Sequence, residues 1–253
     1  MKGVQIFRHS LYQVIGNLEG ALRVSALPYL AQVLLSYTLL SQADILSLEV
    51  GLDADPGALD PSVPLRFTGV GLVSLVVSLW ITVAWHRYIL LNELPHGVVP
   101  AFRGAQIWAY FLRVLGYGLI LSLLYILLAM VAQIFLGLEV VGVLLSTLIV
   151  MVPLVVVGFR LSSALPGVAI DAPHGFLAGW AATAEQTGDI ALVALIAVGA
   201  NLLLNAIGMA LFSGLPIFGF VWDVAAGWFV TMVGASILTT LYGHYIEGRA
   251  LRG

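Results

Sequence analysis

The chain has 253 residues, of which 61% are hydrophobic and 9% charged, and its mean hydropathy is +1.06. Soluble domains hold roughly 45–50% apolar residues, so this composition excludes water as the solvent for most of the surface and indicates an integral membrane protein. A net charge of −3 argues against a nucleic-acid partner, which needs a basic surface, and a chain without cysteine has no disulfide, thiolate metal ligand or cysteine nucleophile.

In chain order, residues 1–20 come first. They place Val4, Phe7, Leu11, Val14 and Leu18 at three-and-four spacing, with Lys2, Arg8, His9 and Glu19 among the rest, which predicts an amphipathic helix lying on the membrane. The segment shows neither the unbroken apolar run nor the small-residue cleavage site of a signal peptide, so it is expected to be retained. Six almost uncharged runs follow, at 24–43, 67–85, 114–137, 140–159, 190–212 and 218–242, and Asp223 is the single charge within them. Runs of about 20 residues cross a hydrocarbon layer of about 30 Å. Pro28 and Pro153 fall inside the first and fourth runs and predict kinks. The stretch SGLPIFG breaks the chain between the fifth and sixth, so the third and fourth runs, and the fifth and sixth, are expected to form tight hairpins.

If the spans alternate, Lys2, Arg8, Arg23, Arg87, Arg103, Arg113, Arg160, Arg249 and Arg252 fall on one side and Arg66 alone on the other. Cytoplasmic loops hold the excess of Lys and Arg, which predicts a multi-pass protein of a bacterial inner membrane with both termini cytoplasmic. On this reading 44–66 is an external acidic loop, and 88–110 and 161–189 are cytoplasmic interfacial segments. The two segments echo one another. In the first, Arg87 ends a span and LPHG precedes Trp108; in the second, Arg160 ends a span and APHG precedes Trp180. Pro and Gly break the helix in both, and each segment is expected to lead through a short interfacial helix into the next span. The fold expected is therefore all-α: a single transmembrane domain over 1–253 with six helices in three hairpins, each preceded by an interfacial amphipathic helix.

The candidate residues are few. His86, His96 and His174, with Arg87, Arg103 and Arg160, gather in the basic plane, where anionic lipid headgroups attract Lys and Arg by about 1 kcal/mol each. No pair of histidines has the spacing of a metal motif such as H-E-x-x-H, so they read as interfacial groups, and neither metal nor cofactor is expected. Asn201 and Asn205 lie four residues apart on one helix face. With Gln133 and Asp223 they form either interhelical packing glue or a polar path through the membrane. Soluble-enzyme motifs such as G-x-x-x-x-G-K-[ST] and G-x-S-x-G do not occur.

The stretches NLEGALRVSALPYL, AWHRYILLNELP, RLSSALPGVAI and LYGHYIEGRAL around six spans resemble an uncharacterised family of bacterial six-span inner-membrane proteins, and distantly the membrane domain of glycerophosphodiester phosphodiesterases. The hydrolase of those enzymes is a separate soluble domain, so the resemblance implies no catalytic residue here. The expected role is a non-enzymatic scaffold, accessory subunit or assembly factor that packs against lipid, another membrane protein or a second copy. A small-molecule or ion transporter or channel is the alternative. A lipid-modifying enzyme is third and would need His86, Arg87, Glu93 and His96 at one cleft.

Overall fold

A computed structural model describes residues 2–40, 62–95, 97–136 and 140–251; for 133–136, 140–144, 146 and 147 it describes the backbone alone. Among the described residues all regular structure is helical: α1 (Lys2–Ile15), α2 (Leu18–Leu39), α3 (Ser62–Leu91), α4 (Gly104–Leu136), α5 (Val140–Ser162), the short α6 (Leu165–Ala169) and α7 (Ala178–Ala182), a 3-10 turn at Ala184–Gln186, α8 (Thr187–Phe212) and α9 (Pro216–Tyr245). Four of these are long and apolar enough to cross a membrane, namely α3, α4, α8 and α9, so the protein is membrane-embedded. They correspond to the expected second, third, fifth and sixth spans. The expected first and fourth spans are the helices α2 and α5; of α5, the part described with its side chains contributes the apolar stretch Leu148–Ser162.

Charge ends an apolar run but does not end a helix, because the backbone hydrogen bonds continue through it. The helices therefore overrun the expected spans. α2 begins at Leu18 and carries an exposed Glu19–Arg23 pair at 2.6 Å. α3 begins at Ser62 and so takes Arg66 out of the expected acidic loop, whose residues 44–61 lie outside the described ones. α4 reaches back to Gly104, through Arg113 and Trp108. The expected separate interfacial helix in 88–110 is thus corrected: α3 runs to Leu91, residues 92–95 and 97–103 contain no helix, and Trp108 belongs to α4. The second segment does fold into short helices, α6 and α7. Pro216 opens α9 at its first position, where a missing N–H costs nothing.

α1 is helical as expected but packs on protein, against α8 and α9. Its inward face is Gly3, Ile6, Ser10 and Val14, rotated from the expected stripe, and Val4 and Leu18 are exposed. The rotation follows from close approach: a Cβ on Gly3 would stand 2.5 Å from the Asp189 carbonyl oxygen. The Ser10 and Thr240 hydroxyls then share a hydrogen bond at 2.9 Å, and the Gly3 N–H donates to Asp189 Oδ1 at 3.2 Å.

Elsewhere α2 packs on α3, α4 on α5, and α8 on both α5 and α9. Two apolar clusters meet at α3. Ile81, Ala84 and Trp85 face a cluster with Ile6, Val24, Ile190 and Met232, whereas Leu79 and Val83 face one with Tyr110, Tyr117, Leu161 and Val168. Burial concentrates at one end of the bundle: its run lies at Leu79–Leu90 in α3, at Ile190–Ala194 in α8 and at Met232–Gly243 in α9. The other halves of these helices expose Leu65, Leu72, Leu203, Ile217 and Phe218. In lipid there is no hydrophobic force to bring such residues together, so they need no burial.

Candidate functional site at the charged end of the bundle

Successive residues on a helix point about 100° apart, so Trp85, His86 and Arg87 all become buried only because α3 is enclosed on several sides. Trp85 Nε1 donates to Ser236 Oγ at 2.9 Å. The His86 ring lies between Thr239 Oγ1, 2.8 Å from Nδ1, and the Tyr110 hydroxyl, 3.1 Å from Nε2. The Thr239 hydroxyl proton is given to the Ala235 carbonyl at 2.9 Å, so Nδ1 must be the donor and Nε2 accepts from Tyr110. His86 is thereby fully buried with both ring nitrogens bonded.

Arg87 points the other way, into the loops. Its Nε and Nη2 reach Glu93 Oε2 at 2.8 Å each, and Nη1 reaches both the Ala169 carbonyl and Asp171 Oδ2 at 2.8 Å. Glu93 is shared with Arg103, whose Nη2 lies 2.5 Å from Oε1, and Asp171 Oδ1 accepts from Gln106 Nε2 at 2.7 Å. Two guanidinium groups and two carboxylates thus form one chain of charge that sums to zero. Burial alone would raise the Glu93 carboxyl, but the hydrogen bonds and charges of Arg87 and Arg103 outweigh it and hold it below the ordinary range. Asp171 is likewise lowered, by its hydrogen bonds from Gln106 and Arg87.

The two acids stand where two helices stop. Asn92, beside Glu93, has φ 56° and Asp171 has φ 63°, the left-handed conformation that Asn and Asp tolerate better than other side chains. One such residue precedes each Pro-His-Gly. The two segments also touch: Arg87 and Gln106 of the first hold Asp171 of the second. α4 fastens the second segment further, through Arg113 to the His174 carbonyl and Tyr117 to the Phe176 carbonyl at 2.7 Å.

Arg160 closes α5 with a different set of partners. Nε donates to Thr183 Oγ1 at 3.2 Å, Nη2 donates to the Trp180 carbonyl at 3.1 Å, and the guanidinium carbon lies 3.7 Å from the centre of the Trp180 ring. The crossing of α7 over α5 depends on Gly179, where a Cβ would stand 2.6 Å from Ser163 Oγ and 2.7 Å from the Arg160 carbonyl.

Of the residues expected in the basic plane, His86, Arg87 and Arg103 come together, and Arg160 and His174 lie further along the same end. Expected to meet lipid headgroups, His86, Arg87 and Arg160 instead have protein partners, because a buried polar group must be paired and adjacent helix ends supply the pairs. The His174 ring is edge-on to Tyr242 at 5.8 Å, and its Nδ1 has no hydrogen-bond partner. His96 lies outside the described residues. Of the expected polar path, Asn201, Asn205 and Asp223 line one cavity of about 330 Å³, where Asn205 Nδ2 donates to Asn201 Oδ1 at 3.1 Å; the Gln133 side chain lies outside the described ones. Among the described residues no group of three His, Asp or Glu is placed to hold a metal ion. Asp171, Gln106, Tyr110, Thr183 and Thr239 were not singled out by the sequence. The only readable signal among them is Asp171, an acid just ahead of the second Pro-His-Gly, as Asn92 and Glu93 are ahead of the first.

No family model, curated protein or solved structure matches the chain.

Proposed function

We propose that the protein is a non-catalytic, six-span scaffold or accessory subunit of a bacterial inner membrane, packing against lipid and a partner membrane protein or a second copy. The observation that carries this reading is how the charge at the core of the bundle is used. Arg87, Glu93, Arg103 and Asp171 are consumed in tying one interfacial segment to the other, which leaves the apolar outer halves of the helices as the surface presented to neighbours. Anionic headgroups at the cytoplasmic face are the lipid partners, with Arg103 the more exposed of the clustered arginines. Photo-crosslinkers placed at Leu123, Leu203 and Phe218 in native membranes should give a discrete protein adduct at one or more positions. Adducts with lipid alone at all three would overturn the scaffold role. Orientation is tested by Asp55→Cys and Ala250→Cys with an impermeant thiol reagent in intact cells: labelling of the first only is expected, and labelling of the second only would reverse the topology.

The cavity shared by Asn201, Asn205 and Asp223 favours a second reading, a small transporter or channel. On that reading Asp223→Asn should abolish a measurable flux and leave membrane levels unchanged.

A further inference from the structure

A cavity beside the interlocked charges is not part of them. It encloses about 710 Å³ between α1, the end of α3, the end of α9 and the segment that follows α9. Much of its polar lining is shared among three places: His9 and Gln13 stand four residues apart on one face of α1 with Asn17 in the turn that follows it, Asn92 lies just past α3, and His244 and Arg249 belong to the end of α9 and the chain beyond it. Among the described residues no carboxylate lines it. Arg249 is drawn over the cavity by its backbone N–H to the Gly243 carbonyl at 2.7 Å, and its Nη2 reaches the Leu90 carbonyl at 3.3 Å. Glu247 holds its Nε at 2.5 Å from outside the lining, which leaves further guanidinium N–H groups of the five to donate. His244 Nδ1 lies 3.0 Å from the Arg249 carbonyl, which can only accept, so that nitrogen donates. One lining atom has the opposite need. Gln13 Oε1 is buried with no hydrogen-bond partner, and a buried acceptor left unmade is costly.

From this set we infer that the cavity binds a phosphate group whose substituent carries a hydroxyl. The phosphate meets Arg249 and the amide donors, and the hydroxyl donates to Gln13 Oε1. A lipid headgroup and a soluble phosphate ester share this chemistry. The inference does not rest on the scaffold role; the membrane reading bears only on which of the two sources fills the site.

The test uses the full chain in uncharged detergent micelles, titrated by calorimetry with short-chain phosphatidylglycerol, short-chain phosphatidylcholine and glycerol 3-phosphate. Phosphatidylglycerol should bind about tenfold or more tighter than phosphatidylcholine, which has no donor for Gln13. Arg249→Gln should weaken that binding by about tenfold. Gln13→Leu should weaken it too while leaving the thermal midpoint unchanged or raised, since it removes an unpaired buried acceptor; this variant therefore reads binding apart from folding. Arg8→Gln, exposed and outside the lining, is the control for diffuse basic attraction and should bind as the native chain does. Glycerol 3-phosphate binding as tightly as the lipid, with the same loss in Arg249→Gln, would support the site and name a soluble source. Equal affinity for the two lipids, unchanged binding in either lining variant, or an equal loss in Arg8→Gln would overturn it. None of these outcomes depends on crosslinking to a partner, so the scaffold reading stands or falls separately.

Discussion

Arg87 and Arg160 each close an apolar helix at the same end of the bundle and each is 8% exposed, yet the protein neutralises them by different means. Arg87 faces two carboxylates and one carbonyl. Arg160 is held by a hydroxyl, a carbonyl and the face of an indole, with no acid among these partners. The difference follows from what each guanidinium has to join. Arg87 lies between two separate segments, with Glu93 six positions on in its own and Asp171 84 positions on in the other, and charge on the distant partner helps outweigh the loss of chain entropy in joining them. Arg160 reaches only α7 and the residue just beyond it, about twenty positions on, where a tight glycine crossing already brings the carbonyls near. A buried cation can thus be satisfied by net charge or by oriented dipoles, and the two solutions should fail differently.

The largest effect is expected from Arg87→Gln. It leaves Asp171 without its directly bonded cation and Glu93 with Arg103 alone, and breaking a buried ion pair costs about 3–5 kcal/mol. The partial exposure of both acids reduces this to about 2–3 kcal/mol, read as a lowered unfolding midpoint in detergent. An unchanged midpoint would mean that the chain of charges is only superficial. Gly179→Ala comes next. The added methyl meets backbone oxygen that cannot move aside, so a loss of about 2 kcal/mol is expected, with α7 displaced and Arg160 losing the Trp180 carbonyl. The midpoint of Gly179→Ala, compared with that of Arg160→Gln, shows whether the crossing or the guanidinium carries more of the stability there.

Trp180→Leu removes the ring under Arg160 but keeps the carbonyl, and should cost about 1 kcal/mol. A double-mutant cycle with Arg160→Lys tests the pair directly, because an ammonium loses the planar stacking; additive effects would deny the cation–π contact. The smallest effect separates the two arginines by pH. Glu93 and Asp171 have folded-state values lowered from ordinary ones of about 4, so the stability they contribute is fully present above about pH 4 and is lost as pH falls through the lowered values. The gap between the native chain and Arg87→Gln should therefore narrow below about pH 4. The gap between the native chain and Arg160→Gln should not change there, since no carboxylate is among the partners of Arg160. Parallel narrowing of both gaps would show that the contrast between the two sites is not electrostatic.

The helical architecture and its apolar stretches were legible in the chain because hydrophobic length and period are local properties. The break at Pro216 was legible for the same reason, and so was the gathering of charge about two Pro-His-Gly stretches. Helix ends were less legible. Span limits drawn where charge begins cut α3 short at Arg66 and α4 short at Arg113, although backbone hydrogen bonding carries both helices through these residues. What the charge does was decided only by tertiary packing. The pairing of Arg87 with Asp171 spans 84 residues, and whether a guanidinium meets lipid phosphate or a carboxylate depends on where a distant helix stops, which no local pattern encodes. The face of α1 shows the same limit. Its apolar spacing predicted a stripe through Val4, Phe7, Leu11, Val14 and Leu18; Val14 is buried and Phe7 and Leu11 pack against the core, but the bundle centres the contact on the side where Gly3 and Ser10 permit close approach to α8 and α9, and Val4 and Leu18 are left exposed.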